Sequence, residues 1–370
     1  YIPAYLTGHL DPHTLPRCVC AAGHKAMYHD QWGGLPSKRF LAKLDPELPA
    51  IRDRYAPKAV PADRTAGNLA APIAKKLGLP AGLPVAVGAF DAHTGAVGAG
   101  IKPGTLVKII GTSTCDMMVV PMSQELPDVP GLCGIVPGSI IPGMYGLEAG
   151  QSAVGDIFNW FTNHLTPARY TAKGDPHVNL TREAESLKPG QSGLLALDWN
   201  NGNRTILVDP LLTGMLVGQT LHTTAAEVYR ALVEATAFGA LTIIKRFEEY
   251  GIPVNDVVNC GGIAEKNPFV MQIYADVTDR PMKISRSAQT CALGAAIFGA
   301  VVGGAYKKTE QAQRKMTATR PKVYRPDKKA AAVYAELYKL YRTLHDAFGT
   351  TGFRGTLDRV MKDLIAIRAR

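Results

Sequence analysis

Cysteine is scarce in this chain: there are six among 370 residues, none in a CxxC pair, and Cys18-x-Cys20 is too closely spaced to chelate zinc in the usual way. Free thiols in a reducing compartment are the expectation. Long apolar runs are missing as well. The longest, such as 85–90, fall far short of the roughly 20 residues that cross a bilayer, and the first residues carry no signal-peptide pattern. A cytoplasmic protein with no membrane partner is expected. The composition of disorder is absent too, since 46% of the residues are hydrophobic and 19% charged. A chain this long is expected to divide into more than one domain.

Most of the chain also lacks a basic surplus. The formal net charge is +10, yet residues 1–304 carry 25 basic and 25 acidic side chains, whereas 305–370 carry 16 and 6. That confinement, without a stacking-aromatic motif or a nucleic-acid-binding fold pattern, argues against nucleic acid as a partner. Within 328–348, Val333, Leu337, Leu340, Leu344 and Phe348 recur at helical spacing, which predicts a packed helix with its lysines on the solvated face.

What is present centres on 85–120, VAVGAFDAHTGAVGAGIKPGTLVKIIGTSTCDMMVV. An apolar run, read as a strand, ends in Asp91 and is followed by a small-residue helical pattern over 92–99. After Lys102-Pro103-Gly104, the strands 106–110 and 117–120 flank Gly111-Thr112-Ser113-Thr114, a hairpin whose turn carries hydroxyls and backbone amides. Such a turn can cradle a phosphate. On spacing alone Asp91 also reads as a helix N-cap, and the turn as a plain hairpin turn.

The order strand, acid, short helix, strand, GTS turn, strand resembles the FGGY carbohydrate kinases. That likeness implies an α/β, actin-like ATPase (ribonuclease H-like) fold, with ATP, Mg2+ and a small-molecule sugar as partners. The segments GAFDAHTGAVGAG, VKIIGTSTCD and GLEAGQSAVGDIFNWF are most similar to members acting on L-ribulose. By resemblance Asp91 is the catalytic base and the candidate carboxylate for the magnesium of Mg-ATP, and Gly111, Thr112 and Ser113 form a phosphate loop. Lys25, after the small-residue segment 17–24, and Glu148, in Gly146-Leu-Glu148-Ala-Gly, inherit sugar-binding roles with Asp91. Without the resemblance they read as a surface lysine and a loop glutamate. Gly261 and Gly262, between a strand at 256–260 and a helix from about 268, would lie along the nucleotide, and Asn267 would reach the adenine.

The family's N-terminal Asp-x-Gly-Thr hairpin, a second phosphate loop, does not occur here. The expected division is therefore a truncated first domain over 1–84, a complete ATP-binding domain over 85–304 and a basic helical tail over 305–370, with a hinge at 77–84. Residues 162–192 read as a polar surface excursion, and Thr224 with Glu227 as a capping box opening a long helix. Other kinases of the family, a chaperone-type ATPase and a non-catalytic binding module share parts of this pattern, and a homodimer stays open.

Overall fold

Alternate side chains of the 105–121 hairpin reach two different cores. Leu106, Ile110, Met118 and Val120 join one apolar cluster, whereas Val107, Met117 and Val119 join a second, as the two-residue period of a strand demands. These strands are Thr105–Ile110 (β1) and Thr114–Pro121 (β2). The computed structural model, which describes residues 1–56, 58–172 and 174–370, sets them inside a seven-stranded mixed sheet. Its other strands are Gly134–Pro137 (β3), Met144–Ala149 (β4), Asp256–Cys260 (β5), Met282–Ser285 (β6) and Thr319–Tyr324 (β7), in the order β7-β6-β5-β1-β2-β4-β3. Strands β1, β5 and β6 run parallel, and β4, antiparallel to β2, runs the same way. Their carboxyl ends open on one edge, where sheets of this kind hold ligands.

The helices that position the site are Val19–Ala26 (α1), Asp91–Gly98 (α2), Gly155–His164 (α3), Ala225–Glu249 (α4), Pro268–Thr278 (α5), Thr290–Val302 (α6) and Lys328–Gly349 (α7). One face of the sheet is covered by α2 and α6, whose backbones nearly touch: a Cβ at Gly294 would lie 1.8 Å from the Thr94 carbonyl oxygen. Only glycine permits that approach. The other face is covered by α4 and α5, and α7 packs on α5. Helix α4 opens with the expected capping box, Thr224 Oγ1 accepting from the Glu227 amide while the Glu227 carboxylate accepts from the Thr224 amide.

Several elements differ from the reading of the sequence. The run 85–90 is a strand only at Pro84–Ala86, and it pairs with Thr65–Asn68 outside the large sheet. Gly88, at φ 82°, takes the chain out of the extended region, so Asp91 arrives on a loop. The excursion 162–192 contains the helix Pro176–Glu185, capped by Asp175, which buries Leu180 and Ala184 in the larger cluster. In α7 the buried face is Tyr334, Leu337, Tyr338, Tyr341, Leu344 and His345, whereas Phe348 is exposed. The tyrosines pack around Phe238, and their hydroxyls meet Glu234, Thr242 and Asp198 inside the core. Thus 328–367 shares one core with β1 and β5.

Candidate active site

Helix α1 lies against β3 because residue 23 is glycine. A Cβ there would stand 2.3 Å from Val136 Cγ1, well inside contact distance. This approach brings His24 Nδ1 to 3.4 Å from Glu148 Oε2 on β4, and His24 Nε2 to 3.2 Å from Ser139 Oγ. From the opposite side α2 delivers His93, whose Nε2 is 3.8 Å from the same Glu148 oxygen; the two imidazole rings are 4.7 Å apart. The side chains of His24 and His93 are almost wholly covered. Burial, with Lys25 adding, pushes His24 down to about 4. Burial, with His24 and Lys25 adding, pushes His93 down to about 3, so both rings are neutral at pH 7.

Lys25 and Asp91, neighbours in the chain of His24 and His93, are exposed. The Lys25 ammonium is 5.8 Å from the centre of the Phe90 ring. Asp91 is the first residue of α2, and its Oδ1 accepts from the Ala92 amide at 2.8 Å. The alternative of an N-cap is therefore met only in part, since Phe90 holds the cap position. One turn on, Gly95 packs on Ile109: a Cβ at Gly95 would be 3.8 Å from its Cδ1. The start of α2 is thereby tied to the carboxyl end of β1, two residues before Gly111.

The turn at Gly111, Thr112 and Ser113 is closed by the Gly111 amide donating to the Ser113 carbonyl at 2.9 Å. Carbonyls of Gly111 and Thr112 accept from the amides of Val154, Gly155 and Asp156, which pins the turn to the start of α3. Beside it Gly261, at φ 98°, comes so close that a Cβ would meet the Ile110 carbonyl oxygen at 2.4 Å. Gly262 is exposed with open space where a side chain would be. Two glycine turns thus share one sheet edge. Asn267 is half-buried and its Oδ1 accepts from the Val270 amide at 3.1 Å as the N-cap of α5.

Two features escaped the sequence reading. The histidine pair is one. The other is a buried polar network behind the turn: Lys108 Nζ donates to both Asp116 oxygens at 2.8 Å and to Gln151 Oε1 at 3.1 Å. Gln151 in turn donates to Asp198 Oδ2 at 2.7 Å and to the Thr236 carbonyl at 2.8 Å. Burial pushes the Asp198 carboxyl up, opposed by the hydrogen bonds from Gln151 and Tyr341. A lysine inside the apolar run VKII, directly across the hairpin from an aspartate in CDMM, was the available signal.

Because Gly23 sets the position of His24 and Lys25, Gly23→Ala is expected to displace α1 from β3 and destabilise the fold by about 1–3 kcal/mol, the usual range for overpacking. Denaturant unfolding checks the cost. Unchanged stability would mean that Val136 yields without moving α1.

Residues 106–332 match the C-terminal domain of the FGGY family of carbohydrate kinases. The chain belongs to this family. Among curated proteins it is 45% identical over 361 residues to the ribulokinase of Halalkalibacterium halodurans, covering 95% of this chain and 62% of that one. It is 43% identical to the ribulokinase of Shouchella clausii, covering 100% and 65%. The chain therefore spans less than two thirds of the length of these relatives. Among solved structures, a xylulose kinase from Rhodospirillum rubrum superposes with a TM-score of 0.76 at 27% identity, covering 94% of this chain and 67% of the other. The FGGY kinases have the actin-like ATPase fold, and the mixed sheet between two helical layers is its expression here.

Proposed function

We propose that this chain supplies the nucleotide site and most of the sugar site of a kinase that transfers the γ-phosphoryl group of ATP to a primary hydroxyl of a ketopentose, with L-ribulose the preferred substrate. The observation that carries the reading is that Lys25 lies beside Phe90 and Glu148 beside His93, the two aromatic residues that flank Asp91 in the chain, while α2 packs on the strand that leads into the Gly111 turn. Identity of 43–45% to ribulokinases favours a ketopentose over other polyols. In this reading Asp91 takes the proton of the attacking hydroxyl, whose oxygen bonds to the γ-phosphorus as ADP departs. Phosphoryl transfer asks for positioning and charge neutralisation more than for covalent work. Lys25 and Glu148 orient the sugar, while the amides and hydroxyls of Gly111, Thr112 and Ser113 hold phosphate oxygens. Gly261 and Gly262 let the nucleoside approach the backbone.

Magnesium would come with ATP and neutralise phosphate charge. One exposed carboxylate beside a hydroxyl-bearing turn fits the way Mg2+ binds, through one or two carboxylates plus phosphate oxygens and water; Asp91 is that carboxylate. A cytoplasmic location belongs to the same reading, since the reaction draws on cellular ATP; among the described residues no helix is long and apolar enough to cross a membrane.

The test is calorimetric titration with ATP and a coupled ADP-release assay with L-ribulose, D-xylulose and glycerol. It is run on residues 1–370 and on a form extended to the length of the ribulokinase relatives. Residues 1–370 alone are expected to bind ATP weakly and to release no ADP in response to sugar, because no Asp-x-Gly-Thr loop is present. The extended form is expected to respond best to L-ribulose. Sugar-independent ATP turnover by the extended form, or a preference for glycerol, would overturn the assignment.

A further inference from the structure

The corner formed by His24, His93 and Glu148 holds polar atoms that have no partner. Among the described residues, His24 Nδ1, both ring nitrogens of His93 and Glu148 Oε2 are buried without a hydrogen bond. An orphaned buried polar atom costs about 1–3 kcal/mol; four in one place point to something that completes them. The hydrogen bonds of Ser139 indicate what. Its hydroxyl donates to the Val136 carbonyl at 3.1 Å, so toward His24 its oxygen accepts, and His24 Nε2 carries the proton of that 3.2 Å contact. His24 Nδ1 then bears a lone pair, and it faces a carboxylate oxygen at 3.4 Å. His93 Nε2 faces the same oxygen at 3.8 Å. The lone pair of His24 and the carboxylate repel one another unless a positive centre lies between them.

We propose that His24 Nδ1, His93 Nε2 and Glu148 Oε2 form a binding site for a divalent transition-metal cation of the zinc type. The three ligand atoms lie within 4.8 Å of one another, and ligands of a tetrahedral zinc at about 2.0–2.1 Å stand about 3.3 Å apart. Two imidazoles and one carboxylate suit a borderline cation and not Mg2+, which prefers all-oxygen octahedral sites. The Nε2–H of His24 bonded to Ser139 Oγ is the outer hydrogen bond that fixes the tautomer of a metal-ligating histidine. A fourth position is left for water or a sugar oxygen. Lys25, next to His24, opposes the cation. Because Glu148 also serves the sugar in the reading above, metal and ketose compete for it; that competition rests on the proposed function, whereas metal binding does not.

The experiment is Co2+ titration of residues 1–370, followed by visible absorption and by displacement with Zn2+. One equivalent is expected, with the intense bands of four-coordinate Co2+. His93→Gln and Glu148→Gln should abolish the bands, Ser139→Ala should weaken binding by about tenfold or more, and Lys25→Met should tighten it. Circular dichroism of each variant separates loss of the site from loss of the fold. No band in the unsubstituted chain, or a band that survives His93→Gln in folded protein, overturns the proposal. L-Ribulose binding by the extended form that weakens on His93→Gln while Co2+ gives no band would make the pair sugar-hydroxyl partners and sink the metal site alone. A Co2+ site that L-ribulose never displaces would uphold the metal and sink the role of Glu148 toward sugar.

Discussion

Asp91→Asn is expected to lower sugar-dependent ADP release by the extended form by about two to four orders of magnitude, the range attributed to a general base. Binding of ATP and ketose should change only a few-fold. The substitution isolates the chemistry because of how Asp91 is held. Its Oδ1 accepts from the Ala92 amide, and an asparagine oxygen can keep that bond, so α2 should start at the same residue. What disappears is the second carboxylate oxygen and its capacity to take a proton. Asp91 is exposed, so no buried charge is lost, and the stability change should stay within about 0.5 kcal/mol. Pre-steady-state measurement of the transfer step, set beside equilibrium binding, separates the two effects. Turnover within tenfold of the unsubstituted enzyme would reduce Asp91 to a first-turn anion of α2.

The central hairpin was legible because local rules and burial agree there, whereas the strands Gly134–Pro137, Met144–Ala149 and Thr319–Tyr324 and the order of the sheet were not read. In 105–121 the period of two, the GTS turn and the β-branched residues all point to one hairpin; its first strand starts within a residue of that reading, and its second starts three residues earlier, at Thr114. The capping box at Thr224 and the proline opening α5 were legible for the same reason. Residues 84–90 misled because an apolar run predicts burial but not pairing, and one left-handed glycine ends the strand early. The face of α7 misled because tyrosine reads as amphipathic. Here Phe238 and acceptors in the core draw Tyr334, Tyr338 and Tyr341 inward. The corner of His24, His93 and Glu148 had no local signature, since its three residues come from α1, α2 and β4. It exists only because Gly23 and Gly134 leave room: a Cβ at 134 would lie 2.6 Å from His24 Nδ1.

Lys108→Met is expected to destabilise the protein by about 3–5 kcal/mol, the cost of leaving one member of a buried ion pair alone. Lys108 and Asp116 have side chains only 2% and 1% exposed, so the carboxylate left behind cannot recover its hydration. Two further groups lose a partner, because Lys108 Nζ also donates to Gln151 Oε1 and lies 3.5 Å from Thr114 Oγ1. Thr114 Oγ1 accepts from the Gln151 amide at 2.9 Å, closing the loop after β4 against the hairpin turn. The effect should therefore reach the neighbouring Gly111–Ser113 segment and weaken ATP binding as well as the fold. Lys108→Met combined with Asp116→Leu removes both charges, and apolar pairs of similar volume often replace buried ion pairs at little net cost. The double variant should recover most of the lost stability, a non-additivity of 2 kcal/mol or more by the scale of coupled neighbours, roughly up to 3 kcal/mol. Urea unfolding of both single variants and the double variant measures this directly. A single substitution costing under about 1 kcal/mol, or costs that simply add, would mean that water reaches the pair and that the network does not hold the turn.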